Sequence, residues 1–382
     1  MHRLVQAVVR QRQPLDRQSV IGSGIVRLLA VCQPADPTDA SNWPTYARLA
    51  PHVLATAEWG EEDTAGRDLM LRTVEYLNVR GDRRISWSIA EDLLEHWRQV
   101  LGTSHPSTLA LAGILTSVLA WLGEAVAARN LGQDTLDLSR EALGADHPTT
   151  LSVATYLTSA LGWLGDTQQA AALGHETLER CRIALGPDHP ATLSSAAQWS
   201  FTLLGIGQIP PALALSEDTM QRARQALSPN HPTALVAASA VTFALAWLGE
   251  SKPAETLGLD SSERCYQAFG VEHWLTLLAE SALGFALVGL GEHQRAVVIC
   301  AETVRRSEQR LGADHWVTLL AAAALTSALV GAGDVEQASR VGQQTLDRSA
   351  RALGDEHPIT AKLRQQLDLL TTVGGAARPS SL

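Results

Sequence analysis

Apolar and polar positions recur along this chain in the pattern of paired α-helices. In residues 146–187, Leu151, Ala154 and Leu157 are spaced by three residues, which predicts an amphipathic helix that begins near residue 148. A second apolar stripe in the same segment predicts another helix over about 168–185. Because connections of two to five residues bring neighbouring helices back alongside each other, we expect the two helices to be antiparallel.

Single residues mark the ends of these helices and return every 42 residues. Glycines follow the first helix at the same interval, from Gly81 to Gly375, and are typical of helix ends. A fixed period of this length predicts stacked supersecondary units, each packed on its neighbours. Seven histidines precede the first helices, where we expect them to pack and to bond to loop backbone: His105, His147, His189, His231, His273, His315 and His357.

Composition narrows the class of function. The net charge of −10 argues against a nucleic acid bound through its phosphates. No uncharged apolar run of about 18 residues lies outside the repeat pattern, so we expect no membrane partner. The four cysteines form no CxxC pair, and the N-terminus does not have the pattern of a signal peptide. These features favour a cytoplasmic protein.

The sequence offers no catalytic constellation. It contains no GxSxG, no HExxH and no GxxxxGK[ST] motif. None of the seven histidines has another His or Cys three or four residues away. Equivalent residues of adjacent repeats are separated by about 10 Å or more, too far for ligands that must lie about 2 Å from one metal ion. We therefore expect no enzyme, no cofactor and no metal site.

The motif LG-x-[DE]-HP-x-TL resembles the helix boundary of the tetratricopeptide repeat in its 42-residue, kinesin-light-chain-like form. The loop glycine Gly123 and the alanine Ala128 also match packing positions of that family. The resemblance covers about residues 60–375 and implies an all-α, right-handed superhelical solenoid of antiparallel helix pairs that binds proteins. Two repeats depart from the motif, because Trp274 and Trp316 replace the proline. The motif occurs at 143–151, 185–193 and 353–361.

The expected organisation follows from the repeat. Helices near 64–80 and 83–100 form a degenerate pair, and 356–375 forms a terminal helix whose polar face, with Lys362 and Gln366, suits an end cap. The predicted domains are an N-terminal helical segment, the solenoid and a disordered tail, over 1–60, 61–375 and 376–382.

The segments HRLVQAVVR at 2–10 and SNWPTYARLAPHVLA at 41–55 carry a second resemblance. They are similar to the junction between a winged-helix module and the repeats in bacterial signal-transducing NTPases of the NB-ARC type. The resemblance implies the sensor or autoinhibitory arm of such a regulator, either as a fragment or as a separate gene product. Its nucleotide-binding switch would then act in cis or in trans. The alternative is a free-standing scaffold or adaptor with no nucleotide-linked switch.

In the tetratricopeptide repeat family the first helix of each pair lines the concave side. The equivalent positions of this chain are uncharged and rich in aromatic residues, which favours a groove for apolar or aromatic side chains of a protein or peptide. The other interpretation is that these aromatic residues fill the space between helices as core. The predicted groove residues are Phe201, Phe243, Phe285, Trp121, Trp163, Trp247, Ser117, Ser159 and Ser327.

Overall fold

The computed structural model describes residues 15–56, 63–355 and 357–376. Within this part of the chain there are seventeen α-helices and one short 3-10 helix. The chain divides into two compact units, Met1–Leu111 and Ala112–Leu382. The predicted junction segment at 2–10 and all but the first residue of the predicted tail lie outside the described residues.

The described part of the first unit contains four helices that lie ahead of the regular repeats. A 3-10 turn, Ala40–Asn42, precedes the second of these helices. The helices near 64–80 and 83–100 have the bounds that the sequence predicts. The four helices are α1 (Leu15–Cys32), α2 (Trp43–Leu54), α3 (Thr64–Arg80) and α4 (Arg83–Val100).

Aromatic side chains form the centre of the first unit. The ring of Tyr46 stacks on that of Tyr76, with centroids 4.9 Å apart. The Tyr46 hydroxyl donates a hydrogen bond of 2.7 Å to the carbonyl oxygen of Pro34, and burial raises the pKa of this phenol above its ordinary value. The amide of Gln33 donates to the hydroxyl of Thr73 at 3.1 Å, which joins α3 to the chain after α1.

The second unit is a stack of helix pairs. The first helices of the pairs each begin after one of the periodic histidines: α5 (Pro106–Trp121), α7 (Pro148–Trp163), α9 (Pro190–Gly205), α11 (Pro232–Trp247), α13 (Trp274–Gly289), α15 (Trp316–Gly331) and the unpaired α17 (Pro358–Ala376). The second helices are α6 (Ala125–Leu143), α8 (Thr167–Ala184), α10 (Ile209–Ala226), α12 (Ser251–Phe269), α14 (His293–Leu311) and α16 (Val335–Leu353).

Local chemistry explains the boundaries of each pair. At the start of α7, Nδ1 of His147 accepts a hydrogen bond of 3.2 Å from the backbone N–H of Thr149, and Pro148 occupies the first helical position. At its end, Gly165 has a φ of 74°. This left-handed conformation lets the next backbone N–H donate to the carbonyl oxygen of Leu161 at 3.0 Å.

From α7 onward, successive first helices contact one another along the stack, and each of α7, α9, α11, α13 and α15 also contacts the second helix of its own pair. Small residues make this close packing possible. The second helix of each pair carries one of the periodic alanines, and all six are fully buried, at 0% exposure: Ala128, Ala170, Ala212, Ala254, Ala296 and Ala338. The predicted all-α solenoid of antiparallel pairs is confirmed.

The predicted domain boundaries stay a prediction. The pair formed by α3 and α4 belongs to the same compact unit as α1 and α2, and the division between units falls at 111/112 rather than at 60/61. Among the described helices, none combines the length and the apolar character that crossing a membrane requires.

Candidate functional site

The seven periodic histidines lie at the starts of the first helices. In each case Nδ1 accepts a hydrogen bond from the backbone N–H two residues ahead, at 3.1 to 3.3 Å. This contact occupies Nδ1, one of the two ring nitrogens through which a histidine can bind a metal. Burial lowers the pKa of His357 to about 4, and burial together with the nearby charge of Arg67 lowers the pKa of His105. The geometry assigns these residues to helix capping.

The aromatic residues predicted for the groove come together on the first helices of the second unit. Phe243 lies between Phe201 and Phe285, with ring centroids 6.2 and 5.9 Å away. Trp247 packs on Phe243 at 5.8 Å. We call the six residues the aromatic surface: Trp121, Trp163, Phe201, Phe243, Trp247 and Phe285.

Exposure differs within the aromatic surface. Phe243 is 1% exposed and Phe285 is 6% exposed, so burial favours the core interpretation for these two. Phe201 and the tryptophans Trp121, Trp163 and Trp247 are half-buried and keep an accessible edge. These four rings therefore keep part of their surface exposed, whereas Phe243 and Phe285 do not.

Two of the three serines of the predicted groove make hydrogen bonds to the next first helix. Ser159 donates to the amide oxygen of Gln198 at 2.5 Å, and Ser327 accepts from the amide nitrogen of Gln366 at 2.6 Å. Ser117 is 8% exposed. Ser159 and Ser327 therefore join neighbouring first helices, and the structure leaves little of Ser117 or Ser327 open to a ligand.

Two further tryptophans lie across the aromatic surface. Trp274 packs on Trp121 with ring centroids 4.4 Å apart. Trp316 stacks on Trp163 at 4.2 Å and lies 5.3 Å from Trp121. Each of the two is 8% exposed. We call this group of four, Trp121, Trp163, Trp274 and Trp316, the aromatic clasp, because it joins α5 and α7 to the starts of α13 and α15.

Polar contacts accompany the aromatic clasp. Nε2 of His315 lies 3.0 Å from the carbonyl oxygen of Trp121. Because Nδ1 of the same ring accepts from the N–H of Val317, Nε2 carries the proton and donates it to Trp121. In addition, a Cβ placed on Gly165 would lie 3.6 Å from the carbonyl oxygen of Leu353. Early and late repeats of the second unit therefore touch at several points.

Lys362 of α17 is turned toward the aromatic surface. Its ammonium lies 4.9 Å from the ring centroid of Phe285 and 5.2 Å from that of Trp247, a cation–π arrangement. Burial lowers its pKa. The sequence predicted Lys362 and Gln366 on a polar face that suits an end cap, but both side chains are half-buried. The periodicity places a residue on a helix but does not reveal which neighbouring rings attract a long cationic side chain.

Several ionisable groups elsewhere in the second unit are buried among its helices. Glu280 is paired with Arg306 at 2.6 Å, and burial raises the pKa of this carboxyl even beside the guanidinium. Burial also raises the pKa of Cys181 to about 11 and that of Cys300 to about 12. Within the described residues, no three His, Cys, Asp or Glu side chains are grouped as metal ligands.

The family of the chain follows from its repeats. A family model described as the tetratricopeptide repeat matches five segments that cover more than half of the sequence, at 108–149, 150–191, 192–233, 276–316 and 318–359. The chain belongs to the tetratricopeptide repeat family. Successive matches begin 42 residues apart where they adjoin, as the kinesin-light-chain-like form of the repeat predicts.

Several solved structures are similar to this tetratricopeptide repeat chain. A Rap protein complexed with Competence and Sporulation Factor is 11% identical, with 95% of this chain and 100% of that chain covered and a TM-score of 0.54. A Podospora anserina kinesin light chain protein with nearly identical TPR-like repeats is 22% identical, with 54% and 97% covered and a TM-score of 0.42.

A third structure is a signal transduction ATPase with a tetratricopeptide repeat sensor from Pyrococcus horikoshii. It is 13% identical, with 87% of this chain and 50% of that chain covered and a TM-score of 0.45. No curated protein matches the chain. These likenesses concern the tetratricopeptide fold alone.

Sequence reasoning found the aromatic surface but missed what covers it. Trp274 and Trp316 were visible only as departures from the His-Pro motif. Their contacts with Trp121 and Trp163 bridge four or five repeats, a distance over which a 42-residue pattern carries no information. The departure itself was the available signal, because a large aromatic residue had replaced a small one at two equivalent positions.

Proposed function

We propose that this tetratricopeptide repeat protein is a non-enzymatic interaction module that binds a segment of a partner protein along the aromatic surface. The observation that carries the proposal is the row of half-buried rings on successive first helices, Trp121, Trp163, Phe201 and Trp247. Aromatic side chains supply much of the binding energy of protein interfaces, because they bury a large area and lose little conformational freedom.

The kind of partner follows from the chemistry of the aromatic surface. Its six members are uncharged, and the ammonium of Lys362 faces two of the rings. A segment with apolar or aromatic side chains complements such a surface better than a strongly charged one does. The Rap protein, which shares the fold, is known in complex with Competence and Sporulation Factor, and this is compatible with a solenoid that holds a partner.

We further propose that the chain is the sensor or autoinhibitory arm of a bacterial NB-ARC-type regulator, acting in the cytoplasm. The support is the similarity of 2–10 and 41–55 to a winged-helix junction. In addition, α1 carries an apolar stripe on its exposed side, where Val20 is 73% exposed, Leu28 is 70% and Val31 is 87%. We assign this stripe to contact with the nucleotide-binding module, because a helix that is apolar on both sides is normally covered.

The test is a pull-down from a cell lysate with three baits: the wild type, a Phe201→Ser/Trp247→Ser variant and a Trp87→Ser variant. Trp87 is 37% exposed on α4, outside the aromatic surface, and serves as the matched control. We expect a partner that binds the wild type and the control but not the double variant. Circular dichroism checks that each bait keeps its helix content.

The identity of the captured protein separates the two functions. A partner that carries a phosphate-binding loop supports the NB-ARC arm, and one without such a loop supports the free-standing scaffold. A partner that all three baits retain equally would place the binding site away from the aromatic surface and would refute the proposed site.

A further inference from the structure

Trp274 and Trp316 occupy positions that are proline in the other repeats. Proline suits the first position of a helix because its missing N–H would be unbonded there in any case. Of the seven starts that follow a periodic histidine, only these two carry tryptophan, and both indoles lie against Trp121. The equivalent prolines are Pro106, Pro148, Pro190, Pro232 and Pro358.

The two indoles cover part of the aromatic surface as a ligand would. Trp316 stacks on Trp163, with an angle of 29° between the ring planes, and its edge faces Phe201 at 6.4 Å. Within the described residues, however, the buried Nε1 of Trp316 has no hydrogen-bond partner. Because a buried donor without an acceptor costs free energy, this occupant fits the surface less well than a side chain whose polar atoms are all satisfied.

A solenoid does not need such a contact in order to fold. Each repeat is stabilised by its own helix pair and by its nearest neighbours. The hydrogen bond between His315 and Trp121 joins residues 194 positions apart, far beyond the nearest neighbour. The aromatic clasp is therefore additional to the contacts that the helix pairs make with their nearest neighbours.

We infer that Trp274 and Trp316 are built-in occupants of the aromatic surface and that they regulate access to it. In the closed form the indoles of Trp274 and Trp316 cover Trp121 and Trp163. In the open form these rings are free for a partner segment with apolar or aromatic side chains. This inference rests on the proposed function and adds its regulation: partner binding shifts the second unit toward the open form, because only that form offers the rings.

Spin-label distances test the closed and open forms directly. In a Cys32→Ser background, cysteines replace Ala172 on α8 and Gln344 on α16, which are both exposed. The three other native cysteines are buried, so they react little with the label. We expect one narrow distance in the wild type, and a longer, broader distribution in a Trp274→Pro/Trp316→Pro variant, which has the helix starts of the other repeats.

A second variant removes the opposite partner of the same contact. Trp121→Ala removes the ring that both indoles touch, and it should produce the same lengthening. Combined with the proline substitutions it should add little further change, because the three rings act as one unit. Both variants should increase the fluorescence of 8-anilinonaphthalene-1-sulfonate severalfold, since this dye binds apolar surface that is newly exposed. Trp87→Ala is the control and should change neither reading.

Two results would overturn the inference. Unchanged distances in both variants, with helix content retained, would mean that the tryptophans do not hold the second unit closed. Loss of helix content in both variants would mean that the aromatic clasp is required for folding and does not regulate access. Neither the distance measurement nor the dye measurement uses a partner. If the inference about the clasp is overturned, the pull-down therefore still tests the proposed function independently.

Discussion

Histidine at a helix start combines a capping group with a titratable ring. The neutral ring offers Nδ1 as an acceptor for a backbone N–H, as an asparagine or serine oxygen would. The rings differ in burial along the chain: His189 is exposed, whereas His357 is 7% exposed. Burial of the ring, which lowers the pKa of His357, makes the stability contributed at this cap sensitive to acid.

Replacement of His357 by asparagine should remove part of the acid sensitivity of the protein. Burial lowers the pKa of His357 to about 4, below the value of about 6.5 for an exposed histidine. As the pH falls between these values, the unfolded chain binds a proton that the folded chain does not, so stability falls. The loss between pH 7 and pH 5 is about 2 kcal/mol.

His357→Asn keeps an acceptor at the cap but cannot titrate. We expect urea unfolding of this variant at pH 7 and pH 5 to show a loss smaller than that of the wild type by about 2 kcal/mol. His189→Asn, at an exposed cap, serves as the control. Equal losses in the wild type and His357→Asn would show that the buried ring does not contribute to the acid response.

Lys362 is a second residue whose burial has a measurable consequence. Its ammonium faces the rings of Trp247 and Phe285, and burial lowers its pKa. Methionine keeps the length and the ring contacts without the charge. Lys362→Met should therefore leave the free energy of unfolding unchanged or raise it by up to about 1 kcal/mol. A clear loss of stability in urea unfolding would show that the cation–π contact outweighs the cost of burial.

At the scale of the helix, the sequence predicted more than it could at any other scale. The His-Pro starts and loop glycines predicted helices from about 148 and over 168–185, and the structure has Pro148–Trp163 and Thr167–Ala184. These boundaries are local, because capping and backbone conformation depend on residues within one turn. The aromatic clasp and the direction of Lys362 depend on contacts between distant repeats, so periodicity could not predict them.

Close approaches between helices identify glycines that the pattern alone does not distinguish. A Cβ on Gly174 of α8 would lie 2.4 Å from a ring carbon of the buried Trp199, whereas one on Gly162 of α7 would meet Thr202 at an ordinary 3.7 Å. Gly174→Ala should lower the free energy of unfolding by about 1–3 kcal/mol, because the indole must move.

Gly162→Ala is the matched substitution at an uncrowded helical site. Alanine has the higher helix propensity, so this variant should be neutral or more stable by up to about 1 kcal/mol. Thermal and urea unfolding of the two variants give the comparison. The same effect at both positions would argue against the close packing of α8 on Trp199.

At the scale of the whole molecule, the aromatic clasp changes how the repeats depend on one another. A simple solenoid is coupled only through nearest neighbours, and its repeats can unfold in succession. In the second unit the early repeats also touch the late ones, through Trp121 and Trp316 and through the Gly165 loop beside Leu353. Unfolding of a middle repeat should therefore also destabilise the early and late repeats that this contact joins.

This long-range coupling should be visible in unfolding experiments. For the wild type we expect urea transitions followed by circular dichroism and by tryptophan fluorescence to coincide. In the Trp274→Pro/Trp316→Pro variant the transition should broaden, with a smaller dependence of the free energy on urea, because repeats then unfold in smaller groups. A transition equally steep in both proteins would limit the clasp to a local role.

The aromatic clasp also has a consequence for how such a gene can evolve. Near-identical units in tandem invite unequal recombination, which adds or deletes whole 42-residue segments while every helix boundary stays intact. Such an event between Trp163 and Trp274 would carry the two late indoles one step along the superhelix, away from the rings they meet. A lineage that keeps the clasp must therefore keep the number of units between its two halves, although the stack itself would tolerate any number.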